Sequence, residues 1–317
     1  GGMGMAYTDY AYAVGRIRAL EIGLIPDNLL ERLMSVASAQ EALQVLAETE
    51  YGAVAHDGDY ETLIEDELLR VYQLLQELAP ASEAIKVFRF RWDLHNIKLL
   101  AAGGNGKPSR LGNFPWEVLW EMLNRADYSR LPVEFQTVLN QFQEAESSSA
   151  AQLDQAYYSY GKRVLCAKEG ILRDYWLARL DLTNLRLLVR LRKVGAPLED
   201  FVKFMVAHGL IAQKEWLEVY GAPWEAVVAW LGYKPYHSIA RDGVASLTDL
   251  PVLEREIDNY LLERLDRAKW VALGVEPLIA YLLAKETEAK NLRLILAGKS
   301  NRLSTETVKR RLRRGYI

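Results

Sequence analysis

The sequence predicts an all-α protein of three similar helical domains, and three observations carry the prediction. An eight-residue pattern, acid-x-x-Asn-(Ile/Leu)-(Lys/Arg)-Leu-(Leu/Ile), occurs three times, at Asp93 to Leu100, Asp181 to Leu188 and Glu288 to Ile295. A helix breaker stands at a similar distance before each Asn, with Pro80 16 residues ahead of Asn96, Gly170 14 ahead of Asn184 and Pro277 14 ahead of Asn291. Strand signals are weak, because no run of alternating β-branched residues flanks an Asn-Gly or Asp-Gly turn.

Each element follows from the same reasoning. Tyr10 to Leu20 opens the chain as a helix, and Gly23 and Pro26 break it. A helix starting at Asp27 carries Leu29, Leu30 and Leu33 on one face, and a short one spans Gln40 to Thr49. The segment from Ala53 to Asp59 is a small polar loop. Leu63, Leu68, Val71, Leu74, Leu75 and Leu78 recur at helical spacing, so 60–78 is a long amphipathic helix. The first marked helix follows Pro80, and Gly103 is expected to close it as a C-cap, as Gly195 and Gly298 close the later copies.

The order then recurs: helices over 115–125 and 133–142, a polar turn at Ser147-Ser148-Ser149, a long helix over 152–168, and the second mark. The third round has 197–207, 224–231, a loop over 234–248, a long helix over 253–270, and the third mark. The ten prolines fall between these segments or in their first turns, where a missing N–H is tolerated. Asn96 and Asn184 are 88 residues apart and Asn184 and Asn291 are 107 apart, which places an insertion in the third round around 209–222 and 233–249. The expected domains are 6–107, 108–196 and 197–317. Ser304 caps a final helix over 305–314, which reads as the start of a fourth unit with its natural place against the first.

With 317 residues, half of them hydrophobic, the chain can bury a sizeable core. Net charge of −3 and a pI near 6.0 leave no global footprint for nucleic acid or an anionic membrane surface. The single Cys166 excludes an intramolecular disulfide framework and suits a reducing compartment. The apolar stretch from Val271 to Ala284 is interrupted at Glu276 and Pro277 and is too short to span a bilayer. The leading Gly1-Gly2-Met3-Gly4-Met5 lacks secretory features and reads as an expression scar.

Asn is a poor mid-helix residue, so something beyond propensity must favour Asn96, Asn184 and Asn291. The plain reading is a buried amide bonding a neighbouring helix, with Asp93, Asp181 and Glu288 on the same face accepting from a nearby donor. Lys98, Arg186 and Arg293 complete the repeated mark. An acid–amide catalytic site would require the three copies to converge, whereas an enzyme needs one site, so triplication points to architecture.

His56, His95, His208 and His237 have no metal-ligand spacing, no phosphate-binding loop or nucleophile elbow occurs, and Gly103-Gly104-Asn105-Gly106-Lys107 reads as a linker. No catalytic, cofactor-binding or metal site is therefore assigned. Lys309, Arg310, Arg311, Arg313 and Arg314 form the one strong charge cluster, either a solvated last turn favoured by the helix dipole or a contact for an acidic partner or lipid headgroups. The tryptophans default to helix packing, with Trp116, Trp120, Trp224 and Trp230 as candidates for partner surfaces.

The chain resembles the C subunit of the bacterial and archaeal V-type (A/V-type) rotary ATPase, whose counterpart in the eukaryotic vacuolar pump is the d subunit. The likeness covers nearly the whole chain. It rests on the opening Tyr10-Ala11-Tyr12-Ala13-Val14-Gly15-Arg16-Ile17-Arg18-Ala19-Leu20, on Glu50-Tyr51-Gly52, on Arg91-Trp92-Asp93-Leu94-His95-Asn96, on the two later Asn-Leu-Arg-Leu marks, and on the closing segment from Val308 to Ile317. The tail is richer in arginine than the family pattern. The resemblance implies a funnel of three helical domains about a pseudo-threefold axis. It also implies a non-catalytic central-stalk adaptor, one copy per complex, peripheral on the cytoplasmic face of the membrane. Its implied partners are the D and F subunits of the central shaft and the membrane proteolipid ring, with contact to the membrane part of the stator left open. Torque would pass through it during ATP-coupled proton or sodium ion transport. The alternative is a generic all-α repeat scaffold for other protein partners.

Overall fold

The structure, a computed structural model, describes residues 7–53, 59–142 and 150–316. The expected loop over 53–59, the Ser147–Ser149 turn, His56 and the leading glycines lie largely or wholly outside them. Among the described residues the regular structure is all helical. In chain order the helices are α1 (Tyr7–Glu21), α2 (Asp27–Ser35), α3 (Ala39–Leu46), α4 (Tyr60–Leu78), α5 (Glu83–Ala101), α6 (Trp116–Arg125), α7 (Val133–Phe142) and α8 (Ala150–Leu165). They continue as α9 (Ile171–Lys193), α10 (Leu198–Phe204), α11 (Gln213–Tyr220), α12 (Trp224–Gly232), α13 (Val244–Thr248), α14 (Leu250–Glu263), α15 (Glu276–Ser300) and α16 (Thr305–Lys309).

Local signals account for most boundaries. Ser38 accepts from the Glu41 N–H at 3.1 Å while the Glu41 carboxylate reaches back to the Ala37 N–H, a reciprocal cap that starts α3. Asp59 caps α4 through the Thr62 N–H, and Ser304 caps α16 through the Thr307 N–H. Pro26, Pro115, Pro197 and Pro223 occupy the cap positions of α2, α6, α10 and α12, where no intrahelical N–H is required of them.

The chain divides into two compact units, one of 1–82 with 254–317 and one of 83–253. The first contains both ends of the chain. Its centre is α15, which α4, α1 and α3 contact; Leu278, Ile279, Ala280 and Leu282 are fully buried. Within the second unit α8 packs on α5, α7 and α9, and α9 on α10 and α13. Aromatic rings fill its core. Phe90 lies 4.8 Å from Phe135 and 5.5 Å from Tyr160, and Phe88 meets Trp176 edge-on at 6.0 Å.

Tertiary contacts overrode helical propensity at several places. The long helix expected over 253–270 stops at Glu263 and resumes as a 3₁₀ turn at Asp266–Trp270. There the Arg18 guanidinium donates to the carbonyls of Ala268, Lys269 and Val271 at 2.8–3.1 Å and fastens the turn to α1. The last helix ends at Lys309, five residues early, because the backbone of Arg313 and Arg314 is bonded by Asn291 and Asn259 instead.

Segments read as insertion or loop hold α11, a 3₁₀ turn at His237–Ala240 and α13. Gly103 and Gly195 close their helices at positive φ, as expected, but Gly298 lies inside α15. The reversal falls at Arg302, φ 55, with the Leu303 N–H donating to the Gly298 carbonyl at 2.8 Å. Gly298 instead leaves room for Val308, whose Cγ2 would lie 2.7 Å from a Cβ.

Candidate functional site

The repeated mark sits on α5, α9 and α15, and its three asparagines make the same pair of bonds. Asn96 donates to the Ser109 carbonyl at 2.9 Å and accepts from the Ser109 N–H at 2.8 Å. Asn184 does the same with Val206 at 3.1 and 2.9 Å, and Asn291 with Arg313 at 3.0 and 2.8 Å. A carboxamide offers one N–H and one C=O in the plane of a peptide group, so it completes a stretch of backbone that no helix or sheet partners. The partner is not another helix but irregular chain: the α5–α6 connection for Asn96, the segment after α10 for Asn184 and the tail after α16 for Asn291.

The acids grip three to five residues further along. Asp93, fully buried, accepts from the N–H groups of Asn113 at 2.8 Å and Phe114 at 3.0 Å. Asp181 accepts from Gly209, Leu210 and Ile211 at 2.8–3.2 Å and from the Tyr236 hydroxyl. Burial raises the Asp93 carboxyl to about 7 and also raises Asp181, in each case against hydrogen bonds that favour the charged form.

Glu288 reaches the opposite end of the chain. It accepts from the Ile25 N–H at 2.8 Å and the Tyr51 hydroxyl at 2.9 Å. The gripped segments share a pattern that spacing from the marks alone did not expose: Gly112-Asn113-Phe114-Pro115 before α6, Gly209-Leu210-Ile211-Ala212 before α11, and Gly23-Leu24-Ile25-Pro26 before α2. Two of these glycines are needed for close approach. A Cβ on Gly112 would sit 2.3 Å from Asp93 Oδ1, and one on Gly209 would sit 2.0 Å from the Leu177 carbonyl and 2.8 Å from Asp181.

A family model described as ATP synthase (C/AC39) subunit matches residues 13–311, from within α1 to just past α16. The chain belongs to this family. The C subunit of the V-type sodium ATPase of Enterococcus hirae is 28% identical to this family member over 95% of the chain and 97% of the relative. The C subunit of the A-type ATP synthase of Methanocaldococcus jannaschii is 25% identical over 95% and 85%. The C subunit of the V-type ATP synthase of Thermus thermophilus is 25% identical over 90% and 93%. The all-helical fold and the family resemblance read from the sequence are thus both present.

In this C/AC39 family member the third position of the mark behaves unevenly. Lys98 pairs with Asp154 of α8 at 2.9 Å and Arg293 with Glu61 of α4 at 3.1 Å, whereas no carboxylate pairs with Arg186 among the described residues. The arginine-rich tail is also divided. Arg313 binds Asp258 at 2.9 Å, and Arg314 binds Glu263 at 3.0 Å and Asp266 at 3.2 Å, while Lys309 and Arg310 are exposed. Arg311 is half-buried, its carbonyl accepting from Arg313. Trp120 is exposed, while Trp116, Trp224 and Trp230 are half-buried.

Sequence reading missed a buried ionic cluster beside Glu288. Lys285, 1% exposed, lies 2.8 Å from Glu288 and 3.3 Å from Glu67, and Glu67 is also bound by Arg70 at 2.6 Å. Lys285 falls on an α15 stretch that reads as uniform core, so its neighbours gave no sign of it; Glu67 on α4 was the available clue, an acid on the apolar face. No helix among the described residues is long and apolar enough to cross a membrane.

Proposed function

We propose that this chain is the non-catalytic central-stalk adaptor of a V-type rotary ATPase or ATP synthase. It docks the D and F subunits of the central shaft onto the membrane proteolipid ring and transmits torque during ATP-coupled proton or sodium ion transport. Three helical domains form a funnel with pseudo-threefold symmetry, one copy per complex, peripheral on the cytoplasmic face. The observation that carries the reading is the family match across 13–311.

The physical demand of such a part is stiffness, and the clamps support the reading. Through two amide bonds and a buried carboxylate, α5 is fixed to the connection before α6, α9 to the segment between α10 and α11, and α15 to segments near both ends of the chain. Buried polar bonds of this kind are directional, and an alternative arrangement would orphan their partners. Repetition of one structural device in three places fits a coupling part better than a reaction centre.

The test is recovery of the chain from gently solubilised native membranes, with mass spectrometry of what remains bound. Shaft and proteolipid subunits are expected together. Their absence beside a different stable partner would replace the adaptor with a repeat scaffold of another assembly. ATP hydrolysis by the purified chain would overturn the non-catalytic assignment.

A further inference from the structure

Within the second unit, α5, α8, α9 and the end of α10 enclose a half-open cleft of about 490 Å³. Its walls bring together Arg91, Lys98, Arg179, Arg186 and Arg190, with Asp154 as the lining carboxylate. Lys98 occupies that carboxylate at 2.9 Å. Tyr158 stands beside the cations: burial raises its phenol, yet Arg179 and Arg186, together with a hydrogen bond to Thr183, outweigh this and leave it below its ordinary value.

The triplicated mark supplies an internal control. At the same position in the other two copies the cation is matched by an acid near the start of a long helix, Asp154 for Lys98 and Glu61 for Arg293. In the second copy the arginine faces the cleft and, among the described residues, no such acid meets it. A structural role alone would have been met by the arrangement used twice elsewhere. The volume lies in the range of small-ligand sites, and planar guanidinium forks suit phosphoryl oxygens.

We propose that this cleft binds a compact, multiply charged phosphate anion of the diphosphate or triphosphate type, with Arg186 as a direct ligand. Asp154 is already neutralised by Lys98, and Arg179 donates to a phenol, Tyr175, at 3.3 Å. Arg179 and Arg186 alone therefore bring two guanidinium charges to the cleft beside phenols, more than a single carboxylate ligand would balance. The site belongs to the isolated chain and does not depend on the adaptor role.

Calorimetric titration of the purified full chain with pyrophosphate, at constant ionic strength, tests it. One saturable site is expected, weakened about tenfold or more by Arg186→Gln, the scale of one lost charge-assisted bond. Arg293→Gln, the same change at the equivalent mark position, is expected to leave binding unaltered, and circular dichroism checks that both variants fold. Absence of saturable binding, equal loss in both variants, or no loss in Arg186→Gln would overturn the proposal. So would binding of a glutamate-rich peptide without pyrophosphate, which would make the cleft a protein-docking surface.

Discussion

Asn291 and Arg313 are joined through the backbone: the Asn291 amide donates to the Arg313 carbonyl at 3.0 Å and accepts from its N–H at 2.8 Å. Asn184 holds Val206 in the same way, and Asn96 holds Ser109. One residue type thus solves one problem three times. It supplies a peptide-like partner to chain that has left a helix and has not yet entered the next.

Asn184→Ala removes both bonds to Val206, whose N–H and carbonyl are then buried without partners. A loss of about 1–3 kcal/mol is expected from the orphaned groups. Asn184→Asp keeps the acceptor and should lose less than the alanine variant at pH values where the new carboxyl is neutral. Urea unfolding of the three proteins gives the comparison, and an unchanged midpoint for Asn184→Ala would show that water replaces the amide.

Gly209→Ala tests the second half of the clamp. The added methyl would meet the Leu177 carbonyl at 2.0 Å and the Asp181 carboxylate at 2.8 Å, neither of which can retreat without leaving α9 or its own bonds. Overpacking of this kind costs about 1–3 kcal/mol or more. Gly232→Ala, where nothing lies within 4 Å, is the control and should be neutral within about 0.5 kcal/mol. Equal melting temperatures for the two variants would count against the close approach.

The marks were legible because Asn inside a helix contradicts propensity, and three contradictions in register are hard to produce by chance. What they hold was less legible. The gripped Gly-x-x-(Pro/Ala) segments do recur, yet one precedes its mark by more than two hundred residues, because Glu288 reaches Ile25. A linear search for units of fixed order assigns that segment to the wrong end of a repeat. The end of α16 was hidden for a related reason: Asn259, distant in sequence, claims the Arg314 N–H, a backbone group that local periodicity assigns to helix.

Asp93 makes stability depend on pH in a stated direction. Its carboxyl keeps its proton up to about 7 in the folded chain, while the unfolded chain releases it near the ordinary 3.8. Between those values the native state binds more protons, so this group's contribution falls as pH rises through the window and is level above it. Denaturant unfolding at pH 4.5, 5.5, 6.5 and 7.5 should therefore show a shallower dependence in Asp93→Asn than in the unaltered chain. Parallel curves would mean that Asp93 is ionised throughout.

Lys285 is the strongest test of how the first unit is held. It lies between Glu67 and Glu288 with its ammonium 4.7 Å from the centre of the Tyr51 ring. Burial alone would lower its pKa, but Glu288 and then Glu67 outweigh this and raise it above 10.5. The sign follows: the contribution is complete below 10.5 and fades only as pH climbs through the higher folded value, so it is constant between pH 6 and 9. Lys285→Met leaves two buried carboxylates facing each other, a loss of about 3–5 kcal/mol.

Lys285→Met with Glu288→Gln removes one of those charges while keeping an acceptor for Ile25 or Tyr51. The double variant should therefore recover at least about 1 kcal/mol over the single one. Strict additivity of the two losses would show that the ammonium and the carboxylates stabilise the chain independently and that the cluster is not a unit.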